Sequence, residues 1–163
     1  MIPAGEASDF HPRGVSAGLH GPLIRVRSHT GVEWVGQFFS GPGELSGLFC
    51  GPSPNHLCVV AGGLGYLVEV TQPLSFEIVR ARPIKELRRV PGASILVFVD
   101  YTNVVAYSPE GLIWTVENLA DDGLTIDDIT SKRLTVRAIG DELSPDRAHL
   151  IDVRTGAVHL RSC

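Results

Sequence analysis

ILVFVDYTNVVAYSPEGLIWTV, residues 95–116, decides the fold. It begins with ILVFV (95–99), rich in β-branched and aromatic side chains, which reads as a strand. A half-exposed strand would alternate. This one is apolar at every position, so both of its faces must be covered. Asp100-Tyr101-Thr102-Asn103 reads as a hairpin, NVVAY (103–107) as the next strand, and Pro109-Glu110-Gly111 as a tight turn into LIWTV (112–116).

The plan recurs along the chain. LCVVAGGLGYLVEVTQPLSFEI (57–78) lies over 95–116 without a gap, and 134–161 follows it with a longer middle loop. The turn position is Pro73, Gly111 and Gly156, and three residues later stand Phe76, Trp114 and His159. Gly31 followed by Trp34 is a partial fourth occurrence. Steps of 42, 38 and 45 residues separate these aromatic positions. Further strands are expected at 23–26, 33–39, 57–61, 66–70, 75–79, 124–129, 133–139, 149–153 and 157–160, and no helix. A period near 40 with four short antiparallel strands per unit is that of β-propeller blades, with the aromatic packed between neighbouring blades. The expected fold is all-β, with three to four blade-like antiparallel units. They form an open fan, share a ring with a second chain, or collapse into a β-sandwich or barrel. A flexible arm rich in Gly, Pro, Ser and Ala is expected at 1–20. A single repeat domain follows over 21–163, with units at about 23–43 (partial), 44–82, 83–120 and 121–163.

In VVAYSPEGLIWTV (104–116), Ala106, Gly111 and Trp114 follow the order of the A-x-D-x-x-x-G-x-x-x-W core of pyrroloquinoline-quinone-type propeller repeats, each interval one residue shorter, with Tyr107 or Ser108 near the usual Asp. Asp152 and Gly156 restore the Asp and Gly of that pattern, with His159 in place of Trp. About 100 residues resemble these repeats. The resemblance implies the blade fold; it does not imply the quinone, and no cofactor is expected.

The 163 residues carry a net charge of about −4, with 44% hydrophobic and 20% charged residues. That balance suits a globular core and argues against nucleic acid as a partner. The exception is the basic run Arg80, Arg82, Lys85, Arg88 and Arg89, which reads as a solvated strand edge that discourages aggregation. No segment approaches the ~20 apolar residues of a membrane span, and MIPAGEASDFHPRG lacks signal-peptide character. Three cysteines, Cys50, Cys58 and Cys163, fit a reducing cytoplasm better than a disulfide framework.

Catalytic signatures are absent. Gly62-Gly63-Leu64-Gly65 has no helix after it and reads as a hairpin rather than a phosphate loop. Asp121, Asp122, Asp127 and Asp128 lack EF-hand spacing and read as solvated turn charges. Cys50, His56 and Cys58 are the best metal guess, against buried thiols as the plain alternative. His149 and His159 fall on adjacent strands.

Recognition is expected at hairpin loops on a rigid β scaffold. The candidate contacts are Asp141, Glu142, Asp146 and Arg147 in the acidic loop GDELSPDR, with Tyr66 and Tyr101. Too few units to close a ring, and an apolar end sheet, point to a homo-oligomer, with a homodimer favoured, or a protein partner. The expected role is a non-catalytic interaction or scaffold module. The alternatives are a small-ligand or metal-binding protein using rim loops and, less favoured, a hydrolase with a loop-borne site.

Overall fold

The computed structural model describes residues 19–139 and 148–160. Among them are fourteen strands and no helix, hence none long and apolar enough to cross a membrane. The strands form four antiparallel sheets, none closed into a barrel. The first sheet has two strands, β1 (Leu19–Arg27) and β2 (Glu33–Ser40). The second runs β3 (Gly47–Cys50), β4 (His56–Ala61), β5 (Leu64–Glu69) and β6 (Gln72–Ile78). The third runs β7 (Glu86–Arg89), β8 (Leu96–Val99), β9 (Val104–Ser108) and β10 (Gly111–Val116). The fourth runs β11 (Leu124–Ile129), β12 (Arg133–Ala138), β13 (Ala148–Asp152) and β14 (Val158–Leu160). In every four-stranded sheet spatial order follows chain order, the meander of a blade. The chain divides into two compact units, with the boundary between Val79 and Arg80.

Two strands carry no clear signal in the sequence. GLFC (β3) begins with glycine, and ELRR (β7) is mostly charged; each is a four-residue edge strand held by its neighbour. The basic run reaches into that edge, where Arg88 and Arg89 are exposed. Residues 19 and 20, within the segment expected as an arm, belong to β1, and the rest of that segment lies outside the described residues.

In the first unit, the apolar cluster joins Ile24, Val26, Trp34 and Phe38 of the first sheet to Leu57, Val59, Ala61, Tyr66 and Val68 of the second. In the second unit, Val97, Val99, Val104, Ala106 and Trp114 pack on Leu124, Ile126, Leu134, Val136 and Ile151. Both clusters are built from strands whose alternate residues share a face. All four residues of β8 are buried, as its unbroken apolar run requires.

The ungapped alignment of 57–78 with 95–116 does not survive in the register. It equates Val59 with Val97. Yet Val59 faces the sheet before its own, and Val97 faces the sheet after. The two buried tyrosines give the consistent register. Tyr66 Oη donates to the Phe39 carbonyl at 2.9 Å, and Tyr107 Oη accepts the Arg80 N–H at 3.1 Å. Tyr66 pairs with Val59 and Tyr107 with Leu96, so the hairpin between paired positions is four residues longer in the third sheet. The turn between β4 and β5 is Gly62-Gly63, both at positive φ as a two-residue hairpin demands. Between β8 and β9, residues 100–103 form a wider loop, in which the Asp100 carboxylate accepts the N–H groups of Thr102 (2.8 Å) and Asn103 (2.7 Å).

Only two of the four aromatic positions act alike. Trp34 Nε1–H donates to the Val70 carbonyl and Trp114 Nε1–H to the Val153 carbonyl, both at 2.8 Å. Each acceptor directly follows the third strand of the next sheet. Phe76 has no N–H to offer and packs, half-buried, on the Tyr66 side of its sheet. His159 is exposed, because it pairs with Leu150 and shares that residue's outward face.

Candidate functional site

The first sheet stops at two strands where the others have four. Its Trp34 bond matches that of Trp114, so β1 and β2 correspond to the third and fourth strands of a full sheet. Among the described residues no strands lie beside β1 in the places of a full sheet's first two, and nothing pairs with that edge. An unpaired edge presents a row of backbone N–H and C=O groups ready to bind another strand.

The gap shows again on the second sheet. Leu48 lies opposite Val59, and Cys50 opposite Leu57, on the face turned toward the first sheet. Directly opposed residues in an antiparallel pair point the same way. Leu48 is nevertheless 55% exposed, and Cys50 is exposed too. Its counterpart in the second unit is Ile126, opposite Val136, which is only 8% exposed. There the preceding sheet has its first strand. Glu86 of β7 accepts the Ile126 N–H at 3.0 Å and a longer bond from Thr125 Oγ1 at 3.4 Å. Full burial of a leucine side chain contributes roughly 1.5–3 kcal/mol. Leu48 forgoes much of that for want of a strand like β7.

The far face of the first sheet carries Leu23, 70% exposed, together with charged side chains. Arg25 and Arg27 flank Glu33, with N···O distances of 3.8 and 3.0 Å, and both arginine side chains are 75% exposed. The open edge therefore runs between an apolar face, with Ile24 and Val26, and a basic one. The outer face of the fourth sheet differs. It carries Thr135, Arg133, Arg137, Leu150, Asp152 and His159, with Arg137 bonded to Asp127 at 2.6 Å. A shallow depression of about 370 Å³ on this face is lined by Arg133, Leu150, Asp152 and His159. Asp152 is occupied by its own turn, accepting from Thr155 Oγ1 at 3.0 Å and the N–H of Arg154 at 2.9 Å.

Among the expected contact residues, Tyr101 is on the surface, 42% exposed, with Lys85 Nζ 4.7 Å from its ring centroid. Tyr66 is not: it is buried, edge-to-face with Phe38 at 5.2 Å, and belongs to the core. Asp141, Glu142, Asp146 and Arg147 lie outside the described residues.

Cys50, His56 and Cys58 do not converge. The register that sets Phe49 opposite Cys58 turns Cys50 to the other face, so the two thiols point away from each other. His56 Nδ1 is bonded to Ser53 Oγ at 2.7 Å. Burial pushes the Cys58 thiol up to about 12, far from the thiolate a metal binds. Among the described residues no three His, Cys, Asp or Glu gather around a common point. His149 and His159 take opposite faces of the fourth sheet, inward and outward.

The sequence signal for the open edge lay in the partial repeat at Gly31–Trp34. Nothing in the sequence marked Leu48, because β3 was not legible as a strand. No protein-family model matches the chain, and no curated protein sequence matches it.

Proposed function

We propose that this protein is a non-catalytic interaction module of propeller-like type that binds another protein through its incomplete first sheet. The observation that carries the reading is the edge of β1, unpaired among the described residues, together with the exposed Leu48. Main-chain pairing along such an edge supplies affinity, and alternate side chains supply selectivity. The buried apolar cluster behind it favours this role, since a preorganised edge loses little entropy on binding.

Light scattering on the protein isolated from its native source tests the proposal. The expected mass exceeds the 17.5 kDa of one chain by that of a bound protein. A lone 17.5 kDa species at native concentration defeats it.

A further inference from the structure

The open edge also constrains what binds it, and this inference rests on the reading just given. We infer that the partner inserts a two-stranded β-hairpin alongside β1, completing a four-stranded sheet and covering Leu48 and Cys50. The second unit shows the finished arrangement. There β7 and β8 occupy the first two positions of the sheet that precedes β11; Ile126 is buried, and the Glu86 carboxylate caps its backbone N–H. The first unit has the same receiving face and, among its described residues, lacks the two strands.

Side chains on either side of the edge specify the hairpin. The strand beside β1 has one face against Ile24, Val26 and the Leu48 side, so alternate residues are apolar. Its other face lies beside Arg25 and Arg27, two exposed guanidinium groups that share one carboxylate, Glu33. The intervening residues are therefore acidic, since opposite charges across strands attract and like charges repel. A second copy of the chain fits less well. Pairing β1 with itself about Arg25 or Val26 sets arginine opposite arginine. The eighteen residues ahead of β1 fit poorly as well: they hold three glycines, two prolines and no apolar run like LCVVA or ILVFV.

The test is a photoreactive benzoylphenylalanine at position 48 of the full chain, with position 74 as a control, since Leu74 is also exposed and lies on β6. Complexes are crosslinked in native extract and the joined peptides mapped. The expected result is a crosslink from position 48, and not from 74, into a partner strand alternating apolar and acidic residues. Its yield falls at least tenfold in the Arg25→Glu/Arg27→Glu variant. A crosslink to another copy of the chain, or to residues 1–18, overturns the proposed occupant. So does a partner strand without the acidic alternation. A stable complex that crosslinks nowhere near position 48 overturns this seat while leaving the interaction-module reading intact. The absence of any complex overturns both.

Discussion

Gly156 lies under the indole of Trp114 so closely that a Cβ there would be 2.9 Å from the ring. The same indole donates to the Val153 carbonyl at 2.8 Å, in a buried bond. The turn after β13 thus holds Trp114 by its face and by its N–H, and through it joins the third sheet to the fourth. Gly156 also sits at φ +73°, a conformation L side chains rarely adopt. Gly92 has nearly the same φ, +71°, but open space around it. Gly92→Ala is expected to cost about 1 kcal/mol from backbone strain alone. Gly156→Ala adds the collision and is expected to cost at least twice that. Urea unfolding of the two variants measures the difference; equal losses would mean the indole does not press on the turn.

Trp114→Phe keeps a ring in the cluster and deletes the donor. The Val153 carbonyl is then left without that partner, a loss of about 1–3 kcal/mol. Trp34→Phe removes the corresponding bond to Val70 from a part-buried site, which water can partly replace. Its loss is expected to be smaller. The ranking of the two urea midpoints checks the comparison, and the reverse order would count against it.

These paired tryptophans show how far the sequence could be read. Strands of β-branched and aromatic residues were legible because each has a face, or two, in an apolar cluster. The period near 40 was legible because turns need glycine. Register was not. Ala61–Leu64 and Val99–Val104 close hairpins of different length, and a one-residue slip moves every side chain to the other face. Phe76 therefore looked equivalent to Trp114 while lying on the Tyr66 face. β3 and β7 were illegible for a related reason. Edge strands take their conformation from the neighbour they bond, so four residues such as ELRR need no strand preference of their own.

The two described cysteines should differ sharply in reactivity. Burial raises the Cys58 thiol to about 12, whereas Cys50 is exposed. In a Cys163→Ser background, one thiol is expected to react with a disulfide reagent at pH 8 within minutes, and the second only on unfolding. The raised value also sets a pH dependence. A thiol harder to ionise in the folded state contributes stability that is complete below its unfolded value, about 8.5. That stability is lost as pH rises from there toward 12. Cys58→Ala should flatten this alkaline limb in unfolding curves taken between pH 8 and 11.

Asp152 works in the opposite direction. The Thr155 hydroxyl bond first, then the Thr155 and Arg154 backbone bonds, hold its carboxyl below the usual value. A lowered carboxylate contributes stability above its unfolded value, about pH 4, which is lost as pH falls through the folded value. Asp152→Asn should therefore be less stable than the parent at pH 7, with the gap closing as pH drops to 3. A gap constant across that range would show that the turn does not depend on the charge.

Leu48 and Ile126 hold corresponding places and should respond to one change by very different amounts. In the isolated chain Leu48→Glu replaces an exposed side chain, and its stability is expected to shift by no more than about 0.5 kcal/mol. Ile126→Glu drives a carboxylate into the cluster under β7, near the carboxylate of Glu86, which already accepts the residue-126 N–H. The loss should exceed the roughly 2–5 kcal/mol typical of Ile→Ala in a core. Paired thermal melts of the two variants decide the matter. If Leu48→Glu proves as damaging as Ile126→Glu, position 48 is already covered in the isolated chain, and the first sheet has no vacant seat for a partner's strands.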